Sequence, residues 1–485
     1  MLTDRVLLQT IAKRVMLEKG LQPDFSSQVV SELAKLGEKI SIPKLNEGDL
    51  RNLLWCSIDN DDSRDLDQLT AAEQRKGGEV EIFVAVVDVD ALVKKGSAID
   101  AHAKQNTTSV YTAGGNFPML PEKLSFGLTS LNPGLDRSAL IIEMTVDAGG
   151  LLKSSSVFTG IVKNKAKLAY DSVAAWLDGT GPIPKEIPMV TGLEENIRLQ
   201  DETARKLKEN RRLSGALDFR TIELHSVFSN EKLSALKEDK KNRAKDIIEE
   251  FMVAANGVIA RFLSAKNLPS LRRVVRKPKL WGKIAALAAE KNYKLPVLPD
   301  SKALENFLLK QRTADPENFP DLSLSVIKLL GPGEYVAELP GEVPIGHFGL
   351  AVKDYTHSTA PNRRYPDIIT LRLLKAAIGS VTCPYEKAEL NSLAVHCTEQ
   401  EDAAKKVERQ VSKSAAALLL RSRIGEKFSA IVTGASEKGT WVRLSEPPVE
   451  GKLSKGYEGL EVGMRVSVKL ISTDVEKGFI DLEKV

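Results

Sequence analysis

The spacing of apolar residues changes character along the chain, and each change marks a different kind of element. From the N-terminus to about residue 45, Leu7, Ile11 and Val15 recur at helical spacing, and Val29, Val30, Leu33 and Leu36 repeat it behind the caps Ser26 and Ser27. This predicts two or three short helices ending at Ile42-Pro43, a helix-turn-helix-like module over residues 1–47. Such a module either touches nucleic acid or is a packing appendage. From about residue 48 the pattern is mixed. Leu53 to Ile58 is an apolar run predicted to be a strand entering the core, Val80 to Val89 is a strand rich in β-branched residues, and Ala139 to Val146 is another. Lys245 to Leu263 is an amphipathic helix with Ile248, Phe251, Met252, Ala255, Ile259 and Phe262 on one face, and a further helix covers about Leu390 to Arg423. Near the C-terminus the period falls to two, as in Val466 to Leu470, with turn signals at Glu437-Lys438-Gly439 and Glu476-Lys477-Gly478. Roughly five short strands in about sixty residues predict an OB-type barrel. The fold class is α+β, divided into residues 1–47, 48–424 and 425–485.

Composition narrows the function by exclusion. The 485 residues carry 69 basic and 65 acidic side chains, a net charge of +4, so a nucleic-acid partner has to be argued from local clusters. Cys56, Cys383 and Cys397 form no C-x-x-C pair, which argues against a disulfide framework or a zinc site and fits a reducing, cytoplasmic setting. The first residues have no apolar signal segment, and no run is long enough to span a membrane. Five histidines without H-x-x-x-H or H-E-x-x-H spacing make zinc hydrolysis a poor fit, and G-x-S-x-G, P-loop and G-x-G-x-x-G signatures are missing.

What remains is an acidic loop. Asp59, Asp61, Asp62, Asp65 and Asp67 follow the strand at Ile58 within nine residues, and carboxylates at that density repel unless a cation sits among them. Oxygen donors alone suit a hard ion such as Mg²⁺. The plainer alternative is a solvated charge run.

The segment Asp59 to Asp67 resembles the first signature of the ribonuclease II (RNB) family, and three further blocks match in the family's order: Ser109 to Ser125 continuing to Leu131–Asp136, Ile248 to Asn256, and Tyr355 to Asp367. The tail, with Gly439-Thr440-Trp441-Val442-Arg443 and Glu450 to Ser454, resembles the S1-type RNA-binding barrel that ends such enzymes. The resemblance implies a mixed-sheet RNB catalytic domain and a hydrolytic exoribonuclease that degrades single-stranded RNA from the 3′ end to nucleoside 5′-monophosphates. The expected protein is a cytoplasmic monomer that uses Mg²⁺, with Mn²⁺ as a substitute. Many members carry two cold-shock barrels at the N-terminus, where this chain has only the short helical stretch.

Carried over residue by residue, Asp59, Asp65 and Asp67 take the places of catalytic, metal-holding aspartates, and Gln68 stands where the family has a fourth aspartate. An amide oxygen can still reach a metal, at the cost of one negative charge. The lost charge keeps open a catalytically weakened RNA-binding protein as an alternative; a metal phosphodiesterase acting on DNA or small substrates is a third reading. Arg363 and Arg364 would grip the phosphate through guanidinium forks, or else form a surface pair with Asp367. Glu408 points toward the apolar face of its helix and would meet either a buried arginine or the terminal ribose. Tyr111, Tyr170 and Phe219 stand where the family stacks or clamps bases, with core packing as the alternative for each. Trp441 and Arg443 would hold RNA on the barrel. Six basic residues among the thirteen from Leu271 to Lys283 suggest a wall that guides phosphates, or a solvated strand and turn.

Overall fold

The chain is described by a computed structural model over residues 2–37, 48–436 and 439–485. The turn residues Glu437 and Lys438, and the end of the first module at Ile42-Pro43, lie outside the described residues. Helices α1 (Asp4–Glu18) and α2 (Ser27–Lys35) open the chain, with Thr3 and Ser26 as side-chain caps. Strands β1 (Cys56–Asp59), β2 (Gln68–Gln74) and β3 (Val80–Val87) follow, then α3 (Ala98–Asn106) and the small hairpin β4 (Val110–Thr112) and β5 (Gly115–Phe117). β6 (Asp136–Val146), β7 (Leu152–Lys163) and β8 (Ala166–Ala169) complete the six-stranded sheet, in the order β7-β6-β3-β2-β1-β8. Every neighbouring pair in it is antiparallel except β1 with β8. All eight residues of β3 are buried, as its β-branched run predicts for a strand covered on both faces.

Helices α4 (Tyr170–Leu177), α5 (Leu193–Leu213) and, after the hairpin β9 (Leu224–Ser229) and β10 (Lys232–Glu238), α6 (Arg243–Ala265) pack against the sheet. The pair β11 (Ser270–Val274) and β12 (Glu334–Glu338) encloses a satellite of α7 (Trp281–Glu290), α8 (Ser301–Ala314) and α9 (Phe319–Leu330) with its own apolar cluster. Then come α10 (Tyr365–Gly379) and α11 (Lys387–Leu420), and a closed five-stranded barrel of β13 (Lys427–Ser436), β14 (Gly439–Leu444), β15 (Glu450–Lys455), β16 (Arg465–Asp474) and β17 (Phe479–Lys484).

At about 1.5 Å per residue α11 is roughly 50 Å long, enough to bind three cores together. Leu390 and Leu393 enter the sheet core, Val407 and Val411 pack with Leu8, Ile11 and Val15 of α1, and Ala417 and Leu420 close the barrel's core. Val29 of α2 belongs to the sheet core while the buried face of α1 packs on α11, so the two helices brace separate parts of the body.

Candidate active site

β1 and β2 are paired only at Cys56 and Thr70, so their loop ends splay, and the acidic loop rises from that opening. It is anchored in the middle. Leu66 is buried, its N–H donates to Ser130 Oγ at 3.0 Å, and the Leu131 N–H donates to its carbonyl at 3.0 Å. With Leu66 held inward, Asp61 and Asp62 are left exposed.

Asp59 ends β1, and its Oδ1 accepts the Asn60 N–H at 2.7 Å and Ser63 Oγ–H at 2.9 Å. Burial raises its carboxyl above the ordinary range despite these bonds. Asp67, 2% exposed, accepts Arg363 Nε–H on Oδ2 at 2.6 Å while its Oδ1 is buried without a partner. Desolvation outweighs the nearby guanidinium, and the Asp65 charge adds to it, so the Asp67 carboxyl is pushed up to about 7. Asp65 accepts the Tyr111 hydroxyl at 2.9 Å.

Arg363 is delivered by backbone clips on both sides: the Ser109 N–H donates to its carbonyl at 3.0 Å and the Tyr365 N–H to the Thr107 carbonyl at 2.7 Å. These bonds join the entry to α10 to the segment leading into β4, which is why Tyr111 and Arg363 face the same loop. Glu408, half-buried on α11, pairs with no arginine among the described residues; its Oε1 accepts the Tyr111 backbone N–H at 3.0 Å. Tyr170 begins α4 one residue after Ala169, the strand partner of Asp59, and Lys245 Nζ lies 5.8 Å from its ring centre.

The structure therefore gathers Asp59, Asp65, Asp67, Arg363, Tyr111, Tyr170 and Glu408 around one sheet end. Gln68 opens β2 opposite Val86, half-buried, and its amide makes no hydrogen bond among the described residues. Arg364 turns elsewhere, donating to Asp367 at 2.7 Å with its Nε left unpartnered. Phe219 packs beside the cluster of α7, α8 and α9. Arg443 is held by both carboxylate oxygens of Asp321 on α9, one at 2.9 Å, so it ties the barrel to the satellite. Trp441 is half-buried on β14 opposite Lys452, in the outward register of a strand whose alternate residues are buried.

The basic stretch after Leu271 is not a free wall. Arg272 is buried against Glu338 at 2.8 Å, Arg273 takes Glu401 at 2.7 and 3.0 Å, and Arg276 pairs with Glu334. Arg276 is exposed but paired, and Lys277, Lys279 and Lys283 are exposed with no ion pair among the described residues. Sequence reading missed Ser63 and Ser130; Ser63, lying inside the acidic loop, could have been found as a hydroxyl four residues after Asp59.

No three His, Cys, Asp or Glu side chains among the described residues are drawn close enough to form a ready metal cage. The donors nonetheless suit a hard cation: Asp67 Oδ1 is buried with nothing to bond, Asp65 raises the carboxyls of both Asp59 and Asp67, and the loop's charged donors are oxygens.

A profile described as the RNB domain matches residues 47–380, and the RNase II-type exonuclease C-terminal S1 domain matches residues 426–485. The chain belongs to the RNB family. It is 31% identical over 446 residues to ribonuclease R of Aquifex aeolicus, covering 91% of this chain and 62% of that protein, and 30% identical to ribonuclease R of Escherichia coli, covering 87% and 53%. It thus spans between half and two thirds of the length of these two relatives. The apo form of Mycoplasma genitalium RNase R superimposes with a TM-score of 0.86 at 24% identity, covering 99% of this chain and 78% of that one, which shows a shared RNase R fold. Yeast Ssd1, described as a pseudonuclease, shares the fold at a TM-score of 0.73 and 18% identity, covering 92% of this chain and 55% of that one. The α+β class, the mixed sheet and the closed C-terminal barrel agree with the sequence reading.

Proposed function

We propose that this RNB-family chain is a Mg²⁺-dependent exoribonuclease that hydrolyses single-stranded RNA from its 3′ end and releases nucleoside 5′-monophosphates, acting as a cytoplasmic monomer. The observation that carries this reading is the convergence of Asp59, Asp65, Asp67 and Arg363 at the splayed ends of β1 and β2. Asp59, Asp65 and Asp67, with the Gln68 amide, would hold Mg²⁺ or a substituting Mn²⁺. When bound, such an ion neutralises charge on the phosphoryl oxygens and lowers the pKa of water.

The chain's own groups do the rest. Arg363 keeps Nε on Asp67 and has its remaining N–H donors for a nonbridging phosphate oxygen. The Tyr111 hydroxyl fixes Asp65, and Glu408 fixes Tyr111 through one oxygen, leaving its other oxygen for a ribose hydroxyl. Tyr170, beside Asp59, would stack on the last base, and Trp441 would stack on RNA crossing the barrel. Arg364 backs this arrangement through Asp367, Arg443 serves docking of the barrel, and Phe219 serves packing.

A second reading, an RNA-binding protein of the same fold with weakened catalysis, draws on Gln68 and on the fold shared with a pseudonuclease. Incubation with labelled single-stranded RNA and DNA, in Mg²⁺ and in EDTA, separates the two. Mononucleotides from RNA alone, lost in EDTA, support the enzyme; tight RNA binding without release supports the second reading.

A further inference from the structure

A cavity of about 650 Å³ lies against the edge strand β8, on the outer side of the acidic loop. It touches the site at two points: Asp61 of the loop lines it, and so does Ala169, the strand partner of Asp59. Its size falls in the range of small-molecule sites. One part of its wall is basic. Lys165 makes no ion pair among the described residues, Lys185 reaches Glu186 only at 3.9 Å with its side chain 89% exposed, and Lys167 Nζ donates to the Asp61 carbonyl at 3.0 Å. The lining also holds the carboxylate of Glu186 and the apolar side chains of Pro133, Val190 and Met189, the last 80% exposed. Apolar side chains together with three lysines along one cavity match a base joined to a phosphate.

We propose that this cavity binds nucleoside 5′-monophosphate leaving the active site; the inference rests on the function proposed above. Hydrolysis beside Asp59, Asp65 and Asp67 would leave a phosphate dianion that the bound cation and Arg363 hold there, and that the surrounding carboxylates repel once it leaves them. Lysines just beyond the loop give that anion a favourable place outside the reaction centre while the next phosphodiester moves in. The bond to the Asp61 carbonyl makes Lys167 part of the loop's own support, so the test leaves it intact.

The test combines Lys165→Glu and Lys185→Glu in the full chain. AMP, adenosine and inorganic phosphate are titrated calorimetrically into the Asp67→Asn protein with and without these changes, and inhibition of RNA hydrolysis by AMP is measured with Asp67 present. AMP binds at least tenfold more tightly than adenosine, and the lysine changes weaken AMP binding tenfold or more and raise its inhibition constant in parallel, with the thermal midpoint unchanged. AMP affinity within twofold of the unaltered protein, or AMP binding no tighter than adenosine, overturns the proposal. An unfolded double variant is replaced by Met189→Asp, at a well-exposed position, with the same expected loss. Should the wild type hydrolyse no RNA while AMP binding still follows the lysines, the enzymatic reading fails and the nucleotide site stands.

Discussion

Arg363 Nε lies 2.6 Å from Asp67 Oδ2, an ion pair between residues 296 positions apart that joins the entry to α10 to the mouth of β2. The same guanidinium orients a buried carboxylate and, in the proposed reaction, would offer its other donors to a phosphate. Lysine keeps the charge and loses the fork. We expect Arg363→Lys to lower kcat/KM on RNA about tenfold or more and Arg363→Ala about 100- to 1,000-fold, the cost of losing one preorganised donor to developing charge. Steady-state kinetics on a short oligoribonucleotide measures both; an Arg363→Ala enzyme of unchanged kcat/KM removes this residue from the reaction.

Gln68, set by the family resemblance where a fourth aspartate is expected, would leave the acidic loop one charge short. Gln68→Asp restores a hard anionic donor and is expected to lower the Mg²⁺ concentration at half-maximal activity several-fold. An unchanged Mg²⁺ titration would place residue 68 outside the ion's reach.

Tyr111 holds Asp65 with its hydroxyl and receives support from Glu408 at its backbone. Tyr111→Phe removes only the hydroxyl bond, so a loss of about three- to tenfold in kcat is expected, in line with about 1 kcal/mol for one hydrogen bond. Glu408→Ala should narrow the RNA-over-DNA preference, read as the ratio of the two rates.

Acid should loosen the fold through buried imidazoles. Burial pushes His102 and His347 down to about 4, below the ordinary value near 6.5. Between those values the unfolded chain binds a proton that the folded chain refuses, so this stability is complete above pH 6.5 and is lost as pH falls toward 4. About 1–2 kcal/mol per imidazole should be gone at pH 5. Asp67, raised to about 7, acts in the opposite sense over the same window, so urea unfolding is compared in the Asp67→Asn background, with and without His102→Gln. A pH slope that His102→Gln does not flatten contradicts the assignment.

Elements with strong periodicity were legible in the sequence because they use their pattern locally: β3 is buried along its whole length, and α6 spans Arg243–Ala265 around the predicted Lys245 to Leu263. The aspartates were legible because one loop carries them all. Long-range pairing was not legible. Nothing near Arg272 or Arg273 signals Glu338 or Glu401, nor does the stretch around Arg443 signal Asp321, so arginines that looked available for phosphate turn out to be spent on the fold. Removing one partner of such a buried pair costs about 3–5 kcal/mol, so Glu338→Ala should act on stability far more than on RNA affinity.

The most direct measurement is a time course with single-stranded RNA labelled on its 3′-terminal nucleotide, run on the wild type and on Asp67→Asn in Mg²⁺. The label is expected to appear as a nucleoside 5′-monophosphate in the first turnover, without a lag, and to slow about 100-fold or more in Asp67→Asn. Label that stays in long fragments, or release at the same rate from the Asp67→Asn protein, would contradict 3′-end hydrolysis at this site.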